Sequence, residues 1–146
     1  MIKKEEINIA VIGLGYVGLP LAVEFSKKYN VVGFDLDEIR VSELNDKYDR
    51  TNELSDKDLL DLKNFKITSN ENKISNSNIY IVTVPTPVDK NNKPNLNPII
   101  SASELIGRYL NKNDIVIYES TVYPGCTEEV CVPILEKVSK LKYNSE

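Results

Sequence analysis

Three glycines, spaced as Gly13-x-Gly15-x-x-Gly18, follow a run of aliphatic residues near the start of the chain. Alone, this spacing is a weak signal, because glycine-rich turns also serve only to reverse the chain. Its context strengthens it. The glycines follow a segment typical of a buried strand and open a helix, and Asp35 ends the next strand 22 positions after Gly13. This combination is typical of a dinucleotide-binding site.

Each glycine of the turn has a separate role in such a site. Gly13 permits the tight turn, Gly15 leaves room for a pyrophosphate to approach the backbone, and Gly18 lets the helix lie close to the strand. The free amides and the dipole at the helix start favour the negative charge of the diphosphate. We therefore predict that residues 13–18 bind a dinucleotide.

Asp35 bears on which dinucleotide binds. A carboxylate at this strand end can accept hydrogen bonds from both ribose hydroxyls, and such charge-assisted bonds contribute about 1.5–3 kcal/mol. The 2′-phosphate of NADP would meet the same carboxylate as a like charge. Arg40 complicates this choice, because a nearby arginine can accept a 2′-phosphate; its alternative role is that of a solvated helix residue. We predict NAD as the cofactor.

Two further loops are expected at the same edge of the sheet. In the strand order 3-2-1-4-5, the ligand crevice opens between the first and fourth strands. The loop "TVPTPVD" after the fourth strand is stiffened by prolines and offers the hydroxyl of Thr86. The segment "ESTVYPG" after the fifth offers those of Ser120 and Thr121. A rigid turn without a ligand and capping of the last helix are the respective alternatives.

Strand-like and helix-like segments alternate along the chain. The strand-like runs are short, rich in β-branched residues and nearly continuously apolar, as in strands covered on both faces. They span residues 7–13, 31–35, 79–84 and 114–120, with a weaker one at 65–68. The alternation predicts a single α/β domain over residues 1–146, with a Rossmann-type, doubly wound parallel sheet.

Two of the predicted helices carry recognisable start signals. Asp37 is placed to cap a helix over residues 38–47, with Ile39 and Leu44 facing inward. Asn97 is placed as the N-cap of a second helix, with Pro98 at its first position.

The last predicted helix contains Pro133, which removes a backbone donor and should bend it. Its expected core-facing residues are Val130, Ile134, Val138 and Leu141. Cys126 and Cys131 would lie about 140° apart on an α-helix, too far to form a bridge or share a ligand. We interpret them as small buried apolar residues.

Composition argues against several functional classes. The net charge of −4 disfavours nucleic acid and anionic membranes as partners. No apolar run approaches the length of about 18 residues that a membrane span needs, and the amino terminus does not resemble a signal peptide, so we expect a cytoplasmic protein. The chain has no histidine, which removes a histidine base, and we predict no metal site.

Taken together, the sequence resembles the N-terminal domain of the UDP-glucose/GDP-mannose dehydrogenase family over essentially its whole length. The resemblance rests on "IAVIGLGYVGLPLA", "VVGFDLDEIRV", "YDRTNEL", "YIVTVPTPVD" and "IVIYESTVYPGCTEE". These segments are most similar to the branch that acts on UDP-N-acetylhexosamines, the Vi-polysaccharide type.

The resemblance implies an NAD-dependent enzyme that oxidises the C6 alcohol of a UDP-sugar in two steps to a uronic acid for surface polysaccharides. It also implies cofactor-binding roles along the predicted crevice. Residues implied to contact the pyrophosphate are Gly13, Leu14, Gly15, Tyr16, Val17 and Gly18. Asp35 is implied to bind the adenosine ribose, and Arg40 to lie beside the phosphate or adenine. Val84, Pro85 and Thr86 are implied to line the cofactor along its length, and Ser120 and Thr121 to lie near the nicotinamide. Thr121 would also help order a catalytic water.

In the family, a nucleophilic cysteine and its helpers follow the "EST" segment, and nothing here corresponds to them; Cys126 and Cys131 match no such motif. We therefore expect residues 1–146 to be the front part of a longer enzyme, without its central helix and C-terminal catalytic domain and unable to turn over alone. The full enzyme is expected to be a homodimer or larger. The alternatives are a stand-alone NAD-binding sensor or regulatory module, and the cofactor domain of another two-domain hydroxyl dehydrogenase.

Overall fold

Five parallel strands form one sheet in a computed structural model that describes residues 3–60 and 62–146. In chain order the strands are β1 (Asn8–Ile12), β2 (Asn30–Phe34), β3 (Phe65–Thr68), β4 (Ile79–Val82) and β5 (Ile115–Tyr118). Their order across the sheet is β3-β2-β1-β4-β5. This confirms the predicted Rossmann-type sheet and its topological switch between β1 and β4.

Helices cover both faces of the sheet. They are α1 (Gly18–Ser26), α2 (Glu38–Asn45), α3 (Asp56–Leu60), α4 (Asn97–Gly107) and α5 (Val132–Ser139), with 3₁₀ turns at Lys4–Glu6 and Glu71–Ile74. Among the described residues, no helix has the length and apolar character needed to cross a membrane.

The core consists of two layers, because successive strand residues point to opposite faces. On one face, Val11 of β1 packs in a cluster with Leu19 of α1 and Leu44 of α2. On the other, Tyr80 of β4 packs in a cluster with Ile106 of α4. Burial on both faces explains why the strands are nearly continuously apolar in sequence.

The cap predicted for α2 is present, but the orientation predicted for that helix is partly wrong. Oδ1 of Asp37 accepts hydrogen bonds from the amides of Ile39 at 3.0 Å and Arg40 at 3.1 Å. Leu44 is fully buried, whereas Ile39 is 69% exposed. Arg40 takes an inward position instead, because its guanidinium finds polar partners beneath the helix.

The start of α4 also differs from its prediction. Asn97 is the first helical residue rather than the N-cap, and Oδ1 of Asn95 accepts a 3.0 Å hydrogen bond from its amide. Pro98 does lie in the first turn, where its missing N–H leaves no helical hydrogen bond unmade.

A π-helical turn, Thr127–Cys131, precedes α5, and Pro133 lies in the first turn of α5. The predicted irregularity is therefore present as a π turn rather than as a kink inside one helix. The turn also changes which residues face inward. Cys131 and Leu135 are buried, while Val130, Ile134, Val138 and Leu141 are only partly buried.

Cys126 and Cys131 are both buried, as predicted, and both are free thiols. The predicted angle of about 140° between them is wrong, because residues five apart lie close to one turn apart in a π-helix. Burial raises the pKa of the Cys131 thiol, so it stays protonated at neutral pH.

Candidate cofactor-binding site

A groove of about 420 Å³ opens at the carboxyl ends of the strands, at the switch point between β1 and β4. Every candidate cofactor residue except Gly18 lines it. The lining comprises residues 13–17, Asp35, Asp37, Arg40, Arg50, Thr51, residues 83–86 and residues 119–121.

The glycine turn lies at the centre of this groove. Gly13 has a φ of +100°, which glycine adopts without strain. A side chain at Gly18 would overlap the carbonyl oxygen of Gly13 and the hydroxyl of Thr83. Both glycines are therefore required by the fold itself, as the tight turn and the close helix–strand approach demand.

Gly15 differs from every other glycine in the chain. A Cβ atom built on it meets no other atom within 4 Å, and its φ is not in the left-handed region. The fold therefore does not require glycine here. Because Gly15 lines the groove, the bare backbone at this point fits the close approach of a ligand such as a pyrophosphate.

Asp35 lies at the end of β2, beside the turn. Its Oδ2 accepts a 2.7 Å hydrogen bond from the amide of Leu14, and its Oδ1 accepts a 2.9 Å hydrogen bond from the amide of Asp37. A carboxylate has about four acceptor positions, so each oxygen can still accept a hydrogen bond from a ribose hydroxyl.

Arg40 is only 4% exposed, so the alternative of a solvated helix residue is wrong. Its Nε donates a 2.9 Å hydrogen bond to the carbonyl of Leu14, and its Nη2 donates a 3.2 Å hydrogen bond to Oγ1 of Thr51. Nη2 also lies 2.8 Å from Oδ1 of Asp49. Among the described residues, Nη1 is buried without a partner.

Asp49 organises the loop that faces Arg40, and sequence analysis did not single it out. Its carboxylate accepts hydrogen bonds from Thr51 Oγ1 at 2.6 Å and from the amides of Thr51, Glu53 and Leu54 at 2.9–3.2 Å. Burial acts to raise the pKa of Asp49, but the hydrogen bonds from Thr51 and Arg40 prevail and lower it to about 2. The signal that could have identified it is "YDRT", one of the segments that carry the family resemblance.

Arg50 is a second arginine of the groove that sequence analysis missed. Its Nη2 lies 2.7 Å from Oδ2 of Asp37, and its Nε lies 2.6 Å from Oε2 of Glu43. One guanidinium therefore joins Asp37, the N-cap of α2, to Glu43 in the second half of that helix.

Thr83 connects β4 to the glycine turn and was also missed. Its buried Oγ1 lies 2.7 Å from the carbonyl oxygen of Gly13 and 3.1 Å from that of Ile12, both within hydrogen-bonding distance. Thr83 is the first residue of "TVPTPVD", ahead of the prolines and Thr86.

The hydroxyls predicted to be available in the other two loops instead connect those loops. Thr86 Oγ1 donates a 2.6 Å hydrogen bond to the carbonyl of Thr121, and Ser120 Oγ donates a 2.7 Å hydrogen bond to the carbonyl of Val84. Capping of the last helix, the alternative for Ser120 and Thr121, is not observed, because the π turn has no side-chain cap. Thr86 Oγ1 and Ser120 Oγ can still each accept a hydrogen bond from a ligand.

Comparison with known proteins agrees with this geometry. Residues 7–146 match the model of the UDP-glucose/GDP-mannose dehydrogenase family, NAD binding domain. UDP-N-acetyl-D-glucosamine 6-dehydrogenase from Pseudomonas aeruginosa is 52% identical over 97% of this chain and 34% of its own length. Protein CapL from Staphylococcus aureus is 54% identical over 92% of this chain and 31% of its own length.

Comparison with solved structures leads to the same family. The structure of UDP-D-ManNAc dehydrogenase from Pyrococcus horikoshii superposes with a TM-score of 0.83 at 31% identity, over 94% of this chain and 34% of that one. The chain thus spans about a third of the length of these relatives. The alternative of a different two-domain hydroxyl dehydrogenase is therefore wrong. This chain belongs to the UDP-glucose/GDP-mannose dehydrogenase family and is its NAD-binding domain.

Proposed function

We propose that this chain is the cofactor-binding part of an enzyme that oxidises the C6 alcohol of a UDP-N-acetylhexosamine to a uronic acid for surface polysaccharides. The relative from Pseudomonas aeruginosa carries the name of such an enzyme. The observation that carries the proposal is the open backbone at Gly15. This residue lines the groove, and the fold does not require a glycine at its position.

In this proposal the groove holds NAD along its length. The glycine turn at residues 13–18 lies along the pyrophosphate, with the open backbone at Gly15 facing it. Asp35 accepts hydrogen bonds from the adenosine ribose, and Arg40 lies beside them. Val84, Pro85 and Thr86 form one wall. Ser120 and Thr121 lie toward the nicotinamide, with Thr121 in an auxiliary role at a catalytic water. Bound NAD would supply the hydride acceptor.

Hydrogen bonds within the protein hold the glycine turn in place without a cofactor. The peptide unit that follows Gly13 is held through the Leu14 amide by Asp35, and the next one through the Leu14 carbonyl by Arg40. Thr83 holds the preceding carbonyls. A turn fixed in this way loses little conformational entropy on binding, which favours affinity.

The nucleophile of the two-step oxidation is proposed to lie outside this chain. Both cysteines are fully buried and neither lines the groove. We propose that residues of the remaining two thirds of a longer enzyme, present in the relatives, supply the nucleophile and the UDP-sugar site, and that this enzyme is cytoplasmic and at least dimeric. The stand-alone sensor stays an alternative that the length of the reading frame decides.

Titration with NADH followed by NADH fluorescence tests the proposal. We expect saturable, one-to-one binding, and no steady NADH production when the 146-residue chain is given NAD and UDP-N-acetylglucosamine. The full-length protein should produce NADH under the same conditions. Absence of NADH binding to the chain would refute the proposal, and turnover by the chain alone would refute the assignment of the nucleophile.

A further inference from the structure

Two arginines line the part of the groove next to Asp35, and both are potential receptors for a phosphate group. Arginine binds phosphate through a planar fork of donors. Arg40 and Arg50 could therefore be expected to bind the additional 2′-phosphate that NADP carries on its adenosine ribose. In the structure, however, each arginine is already paired with carboxylates.

Arg40 is engaged by Asp49 in a buried ion pair. Nη2 of Arg40 lies 2.8 Å from Oδ1 of Asp49, and the two side chains are only 5% and 2% exposed. Nε of Arg40 is in addition committed to the carbonyl of Leu14. Turning the guanidinium toward a phosphate would leave the Asp49 carboxylate buried without its counter-ion, which is strongly unfavourable.

Arg50 is engaged by two carboxylates. Its Nη2 lies 2.7 Å from Asp37 and its Nε lies 2.6 Å from Glu43. Asp37 is itself held as the cap of α2. A phosphate that approached Arg50 would therefore meet two negative groups as well as one positive group.

The charge balance at this end of the groove is consequently negative. In the described part of the chain, the two guanidinium groups lie among four carboxylates, those of Asp35, Asp37, Glu43 and Asp49. Among the residues that the structure describes, no lysine lines the groove. An additional phosphate of charge near −2 would be repelled here, whereas a ribose with free hydroxyls would not.

We propose that Asp49 and Glu43 select NAD over NADP by neutralising Arg40 and Arg50, so that the discrimination does not depend on Asp35 alone. The inference rests on the proposed function, because it assumes that the adenosine ribose lies at this end of the groove. It assigns a specificity role to the segment Asp49–Arg50–Thr51, which holds one arginine and contributes the other.

The dissociation constants of NADH and NADPH, measured for the wild type and for the variants Glu43→Gln and Asp49→Asn, test the proposal. The measured quantity is the ratio of the NADPH constant to the NADH constant. We expect this ratio to exceed one in the wild type and to fall about tenfold in each variant, because each removes a carboxylate charge that is paired with an arginine of the groove. Glu104→Gln, an exposed change on α4, is the matched control and should leave the ratio unchanged.

The outcomes separate this inference from the proposed function. A wild type that binds NADH, with a ratio that neither variant alters by more than about twofold, would overturn the role of Asp49 and Glu43 only. Equal affinity of the wild type for NADH and NADPH would also overturn it. Failure of the wild type to bind NADH would instead overturn the proposed function. Should Asp49→Asn fail to fold, Glu43→Gln decides the matter, because the Glu43 side chain is only partly buried, at 23% exposed, whereas that of Asp49 is 2% exposed.

Discussion

The amide of Leu14 donates a 2.7 Å hydrogen bond to the carboxylate of Asp35. The residue proposed to bind the ribose thus also fixes the turn proposed to bind the pyrophosphate. One side chain couples the two halves of the cofactor site, which makes Asp35 sensitive to substitution for two separate reasons.

Replacing Asp35 should therefore weaken NADH binding strongly. In Asp35→Ala, loss of charge-assisted hydrogen bonds to the ribose and loss of the bond to Leu14 should raise the NADH dissociation constant about 10- to 100-fold. Asp35→Asn should lie between this variant and the wild type, because its amide oxygen can still accept from Leu14. Calorimetric titration measures the constants. An unchanged constant in Asp35→Ala would contradict the role of this residue.

Gly15 and Gly18 should respond oppositely to the same change. Gly15→Ala should fold normally, because its Cβ enters open space, yet lose at least about tenfold in NADH affinity. Gly18→Ala should lose about 3 kcal/mol or more of folding free energy, because its Cβ overlaps backbone that cannot move away. Urea denaturation and NADH titration of both variants provide the test, and each variant is the control for the other. Similar stability losses in both would refute the distinction.

The hydroxyl of Thr83 should contribute to the stability of the fold. Thr83→Val keeps the shape of the side chain but removes the hydroxyl that donates to the partly buried carbonyl of Gly13, at a cost of about 1–2 kcal/mol. Thr86→Val, at an exposed hydrogen bond, is the matched comparison and should cost less. Urea denaturation measures both. The hypothesis fails if the exposed variant is the more destabilised of the two.

Asp49 should make the protein sensitive to acid. Its pKa lies at about 2 in the folded state, below the ordinary value of 3.8. A lowered pKa stabilises the fold fully above the unfolded value, and the contribution is lost as pH falls toward the folded value. The loss should amount to about 2 kcal/mol. Denaturation at a series of pH values should show this drop in the wild type and in Glu104→Gln, and a smaller drop in Asp49→Asn. Equal drops in all three proteins would contradict it.

Local patterns in the sequence were enough to predict the sheet and the glycine turn. Apolar runs such as that of β1 reflect burial on both faces, and the cap at Asp37 needs only residues two and three positions on. The pairing of Arg40 with Asp49 was not predictable in this way, because it depends on how a loop folds back over α2. For the same reason, the sequence did not indicate that Arg40 would be buried and Ile39 exposed.

The π turn before α5 marks a similar limit. The prediction for that region assumed an α-helical period, and one extra residue in the turn rotates the buried face to Cys131 and Leu135. Thr83 shows a third kind of limit. Its residue type alone does not reveal that its hydroxyl reaches the carbonyls of a neighbouring strand.

A crystal structure of the protein grown in excess NAD tests the central claim most directly. We predict that the pyrophosphate contacts the backbone of residues 13–18 beside Gly15, and that the adenosine ribose hydroxyls donate hydrogen bonds to Asp35. An NAD molecule bound elsewhere, or reversed so that its nicotinamide ribose meets Asp35, would contradict the account.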